Sequence, residues 1–327
     1  MGIKNMLKFL NTNYPNLIHI IDNNDFERKM IAIDISILLY QVIIAIRNSG
    51  ADMINLQGDI SSHILGLFNK TINLLKMNII PIYVFDGKPP EFKSKLINLR
   101  KEVKNKAYEK LSQDLTDEDK IKYFKRSVSI SKKQIDECIE LLQLMGIPYI
   151  IAPEEADSQC AELVKCGIAD GVLTEDMDIM TFGADKIYRN LTSYKKDNMF
   201  ILKNEVLEAL KVNYDEFVEL CILFGCDYCE KIQDIKVDTI YNYFIKHKNI
   251  PDTVNSMKKD GIKVPNMSDY MIYKKYFIDP PVSKVSNDTI MLSKCDLPKL
   301  EKLLVSKYGL VKMKIDHKLT FLNNYVD

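Results

Sequence analysis

Net charge of either sign is absent: 45 Lys and Arg balance 45 Asp and Glu over 327 residues. With 46% hydrophobic residues, this excludes a disordered tail protein, which needs lower hydrophobicity and a charge excess. Glycine and proline are scarce, at 12 and 11, which excludes collagen-like and Pro-rich chains. Uninterrupted apolar runs are also missing. The most apolar stretch, residues 30–46 (MIAIDISILLYQVIIAI), carries Asp34 and Gln41, and a span of ~20 apolar residues does not normally hold a central Asp. No membrane association is therefore expected. The start, MGIKNMLKFLNTNYP, has no apolar core before a small-residue cleavage site, so no secretory signal is expected either. Met6 stands where a myristoylated chain has Ser or Thr. Seven cysteines, an odd number, read as reduced thiols of an intracellular protein. Cys226 and Cys229 are spaced C-x-x-C without the second pair a zinc site needs; the alternative is a redox pair, but without a thioredoxin-like setting they read as ordinary thiols. No G-x-x-x-x-G-K-[ST] loop occurs, which removes that ATPase class.

The balanced total hides an asymmetry. Residues 88–133 hold fourteen Lys and Arg against seven Asp and Glu. The remaining chain carries the compensating negative excess. Such a block is either a phosphate-steering surface on an acidic body or a set of solvated helical faces.

Strands and helices alternate along the chain. Strands are predicted at residues 30–34, 78–85, 147–152, 171–174 and 186–191. Helices are predicted at 36–47, 61–77, 93–112 and 134–145, with Gly146 as C-cap. Residues 114–119 read as a turn before a second basic helix. Pro153 is predicted to open a helix at its first turn. This pattern predicts an α/β protein with a mostly parallel central sheet covered by helices. It is divided as one catalytic domain over 1–327. Residues 1–87 and 134–260 form its body, 88–133 a helical insertion, and 261–327 a helical C-terminal part.

The candidate chemistry lies in carboxylates. Asp34 and Asp86 end apolar strands, and Asp176 and Asp178 lie in TEDMD just after another. Glu155 and Asp157 start a helix that follows a strand, and Asp227 follows a helix in ILFGCDYC. Strand carboxyl ends line the binding crevice of open α/β sheets. Taken singly, each acid is equally well a turn former or a complement to a helix N-terminus. As a group around one crevice they would repel unless cations neutralised them. An oxygen-only set suits Mg²⁺, with Mn²⁺ as the alternative, and a pair of ions suits phosphoester cleavage. Histidine is absent from all these motifs, which leaves a Ser-His-Asp triad without support.

The segments MGIKNMLKFL, AIDISILLYQ, YVFDGKPPEFK, LMGIPYIIAPEEADSQCAELVK, TEDMDIMTFG and LCILFGCDYCE occur in this order. On them the chain resembles the flap endonucleases of the XPG-type structure-specific 5′ nuclease family, from residue 1 to about 310. The resemblance implies a PIN-like fold and a two-metal phosphodiesterase that cuts DNA at a 5′ flap or single-strand/double-strand junction. It implies metal ligation by Asp34, Asp86, Glu155, Asp157, Asp176, Asp178 and Asp227. It places the basic pair over the scissile phosphate on Lys93 and Arg100. These are seven apart, about two turns along a helix. It implies DNA contacts at Gly2, Tyr40, Arg47, Lys70 and Gly225, as well as Glu155 and Asp227. Residues 88–133 would form the helical gateway and cap. A monomer is expected, working in the nucleus, in the host nucleus if the chain is viral, or at a cytoplasmic replication site.

Two departures from the family stand out. The segment after Asp227, EKIQDIKVDTIYNYFIKH, lacks the glycines with which the family holds duplex phosphates, often with potassium, leaving Lys236, Lys246 and Lys248 as candidate substitutes. The end, LTFLNNYVD, carries no sliding-clamp peptide, so clamp recruitment is not expected. The leading expectation is a Mg²⁺-dependent 5′-flap endonuclease with 5′→3′ exonuclease activity in replication and repair. The alternatives are a 5′→3′ exonuclease or RNase of the same superfamily, and a non-catalytic junction-binding protein.

Overall fold

The computed structural model describes residues 3, 5–22, 26–47, 52–55, 57–113, 115–191 and 196–326. Seven strands lie among them: β1 His19–Ile20, β2 Lys29–Asp34, β3 Ile79–Phe85, β4 Tyr149–Ile151, β5 Gly171–Leu173, β6 Lys186–Arg189 and β7 Met199–Leu202. The chain forms two compact units, each assembled from separated stretches. One comprises Met1–Asp25, Asp86–Lys93 and Ala152–Lys284; the other comprises Phe26–Phe85, Ser94–Ile151 and Val285–Asp327.

In the second unit β2, β3 and β4 run parallel, with Lys29 opposite Ile79 and Asp34 opposite Val84. All seven residues of β3 are buried, which explains its unbroken apolar run without alternation. Helices Ile35–Arg47 and Ser62–Lys76 flank these strands. They approach closely because Gly66 has no side chain: a Cβ there would lie 1.7 Å from Val42 Cγ1. Ser131 and Gln134 form a reciprocal capping box that starts helix Lys132–Met145 two residues before the predicted start. Gly146 ends it in the left-handed conformation (φ 71°), as predicted. Thr116 accepts from Asp119 N and starts helix Asp117–Arg126, so part of the predicted acidic turn is helical.

The basic insertion is tied to this unit by Arg47. Its Nε and Nη2 donate to the two Asp52 oxygens at 2.9 and 2.8 Å. Its Nη1 donates to Phe124 O at 2.7 Å, and its guanidinium carbon lies 4.1 Å from the Phe124 ring centroid. This arrangement docks helix Asp117–Arg126 against the end of helix Ile35–Arg47.

In the first unit the order is β1-β7-β6-β5. β5 and β6 are parallel, while β7 pairs antiparallel with both β6 and β1. The predicted helix opening at Pro153 is displaced. Pro153 O and Glu154 O accept from Lys88 N and Gly87 N, so the backbone of this bend is bonded to residues 87–88. The helix therefore runs Ala156–Lys165 with Glu155 as its N-cap.

Two outcomes follow from this packing. Gly66→Ala should lower stability by roughly 1–3 kcal/mol in urea denaturation. Combined with Val42→Ala, the loss should be smaller than the sum of the two single losses, because the clashing methyl is removed. Additive losses would mean that the helices do not meet at this point. The second outcome concerns His63, whose Nε2 lies 2.8 Å from Glu137 Oε2 in a buried setting. Burial pushes the imidazole pKa down and outweighs the attraction of Glu137. A lowered folded pKa means that the unfolded chain binds the proton more readily. The His63 contribution is therefore complete above the ordinary value of 6.5 and is lost as pH falls through the folded value. Unfolding free energy measured on acidification should fall below about pH 6.5, and His63→Gln should flatten that fall.

Candidate metal and nucleic-acid site

Lys93 is the centre of the site in the first unit. It ends the short 3₁₀ turn Glu91–Lys93, so the predicted helix begins one residue later, at Ser94. Its ammonium donates to Glu155 Oε1 and lies 3.9 Å from Asp227 Oδ2. Burial opposes the charged amine, but attraction from Glu155, Asp227 and Asp157 overcomes it and raises the Lys93 pKa. Three acids predicted as ligands therefore act on one cation.

A second cluster stands on the loop after β5. Asp176 N donates to Thr174 Oγ1 at 3.0 Å, and Asp178 N donates to Asp176 Oδ1 at 3.1 Å. These turns bend the chain so that Asp178 opens the short helix Asp178–Thr181. Arg189 on β6 holds the loop from behind through Glu175 at 2.6 Å. Burial raises the Asp178 pKa well above the usual carboxylate range, and the charges of Asp176 and Asp227 add to it. Burial also raises the Asp176 pKa; repulsion from Asp227 adds to this, while the bond from Asp178 N and the charge of Lys93 oppose it. The TEDMD acids and the Asp227–Lys93 group thus share one field.

Asp86 joins through helix Ala156–Lys165: its Oδ1 accepts from Ala156 N at 3.0 Å, at the positive end of that helix. Six of the seven predicted carboxylates therefore belong to this unit. Among the described residues, no three acidic, Cys or His side chains form a ready-made ion cage. The donor set nevertheless fits a hard cation. It is all oxygen, and Asp178 Oδ1 is buried without a hydrogen-bond partner among the described residues. The charges of Asp176 and Asp227 also raise the Asp178 pKa, as a cation would relieve.

Tyr228 is a site residue that the motif reading passed over, although it lies inside GCDYC. Its hydroxyl donates to Glu155 Oε2, and Lys93 Nζ lies 5.8 Å from its ring centroid. Phe92 and Phe277 pack on the ring at centroid distances of 5.0 Å each. Gly225, predicted as a DNA contact, ends helix Tyr214–Phe224 at φ 92°, where a Cβ would come within 2.6 Å of Lys231 Cβ. This tight turn sets the direction of Asp227. Of the lysines after the site, Lys248 donates to Lys211 O at 2.9 Å and lies 3.6 Å from Glu216. Gly2 lies outside the described residues.

The remaining predicted residues belong to the second unit. Asp34, the last residue of β2, is buried and accepts from Ser36 N at 2.7 Å, so it also caps helix Ile35–Arg47. Tyr40 is exposed on that helix, Lys70 is half-buried on Ser62–Lys76, and Arg100 is exposed on Ser94–Lys110. Burial lowers the Lys70 pKa. Arg47 is buried in its bonds to Asp52 and Phe124.

Lys93→Met should lower unfolding free energy by roughly 3 kcal/mol in metal-free buffer at neutral pH, since it leaves buried carboxylates without their cation. A variant as stable as wild type would show that Lys93 does not balance this cluster.

Residues 1–107 match the XPG N-terminal domain, and residues 146–227 match the XPG I-region. Flap endonuclease 1 of Heterostelium pallidum is 37% identical over 336 residues, spanning 100% of this chain and 86% of that protein. The solved flap endonuclease-1 from Methanococcus jannaschii is 32% identical, with a TM-score of 0.74, covering 94% of this chain and 96% of that one. The catalytic core of Rad2 in complex with a DNA substrate is 25% identical, with a TM-score of 0.75, covering 98% of this chain and 100% of that one. With two regions of one family matched and a relative of this identity along the whole length, the chain belongs to the XPG family of nucleases.

Proposed function

We propose that this chain is a structure-specific DNA endonuclease that cuts at 5′ flaps and runs 5′→3′ from exposed ends, serving replication and repair. The observation that carries the reading is the gathering of Glu155, Asp157 and Asp227 around Lys93, with Asp176 and Asp178 in the same field. The flap endonuclease 1 relatives support the substrate class, and the Rad2 complex supports DNA as the partner.

Glu155, Asp157, Asp176, Asp178 and Asp227, with Asp86 and Asp34, are assigned to two Mg²⁺ ions, with Mn²⁺ as a substitute. When bound, such ions supply an activated water and charge stabilisation at the leaving 3′ oxygen. Lys93 already sits among the acids, and we assign it to a non-bridging oxygen of the scissile phosphate, where it would stabilise developing charge. Arg100 is assigned as its partner on the substrate. Tyr228 keeps Glu155 in place, and Arg189 keeps the 174–178 loop in place. Tyr40 is assigned to stack on a base near the cut, worth about 1–3 kcal/mol per base. The Lys- and Arg-rich helices Ser94–Lys110 and Asp117–Arg126 are assigned to the phosphates of the flap strand. The activity is assigned to the nucleus, the host nucleus if the chain is viral, with a cytoplasmic replication site as the alternative.

The test is cleavage of an end-labelled 5′-flap duplex in Mg²⁺. Wild type should cut at the junction and leave a 5′ phosphate. Asp176→Ala and Lys93→Met should each slow cutting by roughly a hundredfold or more while flap binding persists. Cutting by Asp176→Ala at the wild-type rate would overturn the mechanism. Faster cutting of single-stranded RNA than of flap DNA would overturn the substrate.

A further inference from the structure

Cys226 and Cys229 bracket the two site residues Asp227 and Tyr228. Their sulfurs lie 3.4 Å apart. Cys226 is buried, whereas Cys229 is partly exposed and points its sulfur at Ile222 O, 3.3 Å away. The turn that carries both starts at Gly225, which lies against Lys231. Between the two sulfurs, Tyr228 bonds Glu155, and Asp227 lies 3.9 Å from the Lys93 ammonium. A disulfide brings its sulfurs to about 2.05 Å, so closure draws the two sulfurs together by more than an ångström in all. That movement takes place on a four-residue span whose two middle residues belong to the site.

We propose that Cys226 and Cys229 form a peroxide-sensitive dithiol whose closure to a disulfide displaces Asp227 and Tyr228 and shuts the site reversibly. The sulfur of the accessible Cys229 attacks one oxygen of hydrogen peroxide. The O–O bond breaks, the departing hydroxide takes the Cys229 thiol proton and leaves as water, and Cys229 becomes a sulfenic acid. The Cys226 sulfur then attacks the sulfenic sulfur. The S–O bond breaks, the leaving hydroxide takes the Cys226 proton as a second water, and the disulfide is formed. Two thiols are oxidised and one peroxide is reduced to two waters. A dithiol reductant reverses the bond by exchange.

The effect on cleavage rests on the nuclease reading above; the formation of the bond does not. The experiment treats the full-length chain with hydrogen peroxide and blocks remaining thiols. Mass spectrometry then reads the peptide containing residues 226–229, alongside cleavage of a 5′-flap duplex in Mg²⁺. The expected result is loss of two hydrogens from that peptide and a fall in cleavage of roughly tenfold to a hundredfold, since an ångström of misplacement costs that much. Dithiothreitol should restore both. Cys229→Ser and, separately, Cys226→Ser should cut as wild type does when reduced and should resist peroxide. Oxidation of the exposed Cys166 without loss of two hydrogens between Cys226 and Cys229 would overturn the proposal. So would a disulfide that leaves cleavage unchanged. A reduced chain that cuts no flap DNA would count against the nuclease reading instead, and the dithiol would still stand or fall on the mass loss.

Discussion

A buried cation among acids is the constraint from which the rest of the site follows. Carboxylates at this burial cannot all stay ionised without compensation. Lys93 supplies one positive charge, bonded to Glu155 and close to Asp227, with Asp157 in its field. One ammonium does not settle the whole group, because Asp176 and Asp178 keep raised pKa values. The cluster therefore favours a further positive charge, either a proton or a hard divalent cation.

The scaffold holds this group through local devices, each traceable to particular residues. Paired turns on Thr174 and Asp176 fold the TEDMD loop, and Arg189 fixes it through Glu175. The helix at Ala156 offers its first amides to Asp86. Gly225 turns the chain so that Asp227 leaves helix Tyr214–Phe224 toward Lys93, and the ring of Tyr228 anchors that turn in an aromatic cluster. In the second unit Arg47 plays the corresponding part for the basic helices, spending its guanidinium on Asp52 and Phe124. The charge-rich insertion is thus anchored by one buried arginine.

Much of this was legible in the sequence, for definite reasons. β2 and β3 are long buried runs closed by a carboxylate, and Gly146 marks a helix end by its φ. The acids could be named because strand ends and family motifs coincide on them. β1 and β7 escaped notice because they have two and four residues and depend on antiparallel pairing, β1 with β7 and β7 with β6 as well. Pro153 misled because its carbonyl is taken by Lys88 N, a partner 65 positions earlier in the chain. Tyr228 went unassigned because its role depends on a hydroxyl reaching Glu155, which lies 73 residues away. Arg47 was expected as a DNA contact, and nothing in its sequence neighbourhood announces that Phe124 will cover it. The two interleaved units leave no composition shift at their borders, so the segment boundaries could not reveal them.

The most direct measurement is anomalous diffraction from crystals soaked in Mn²⁺. The account expects manganese peaks among the oxygens of Glu155, Asp157, Asp176, Asp178 and Asp227, with the Lys93 ammonium withdrawn from Glu155. Manganese bound only elsewhere, or none at all while Lys93 keeps its bond to Glu155, would contradict it.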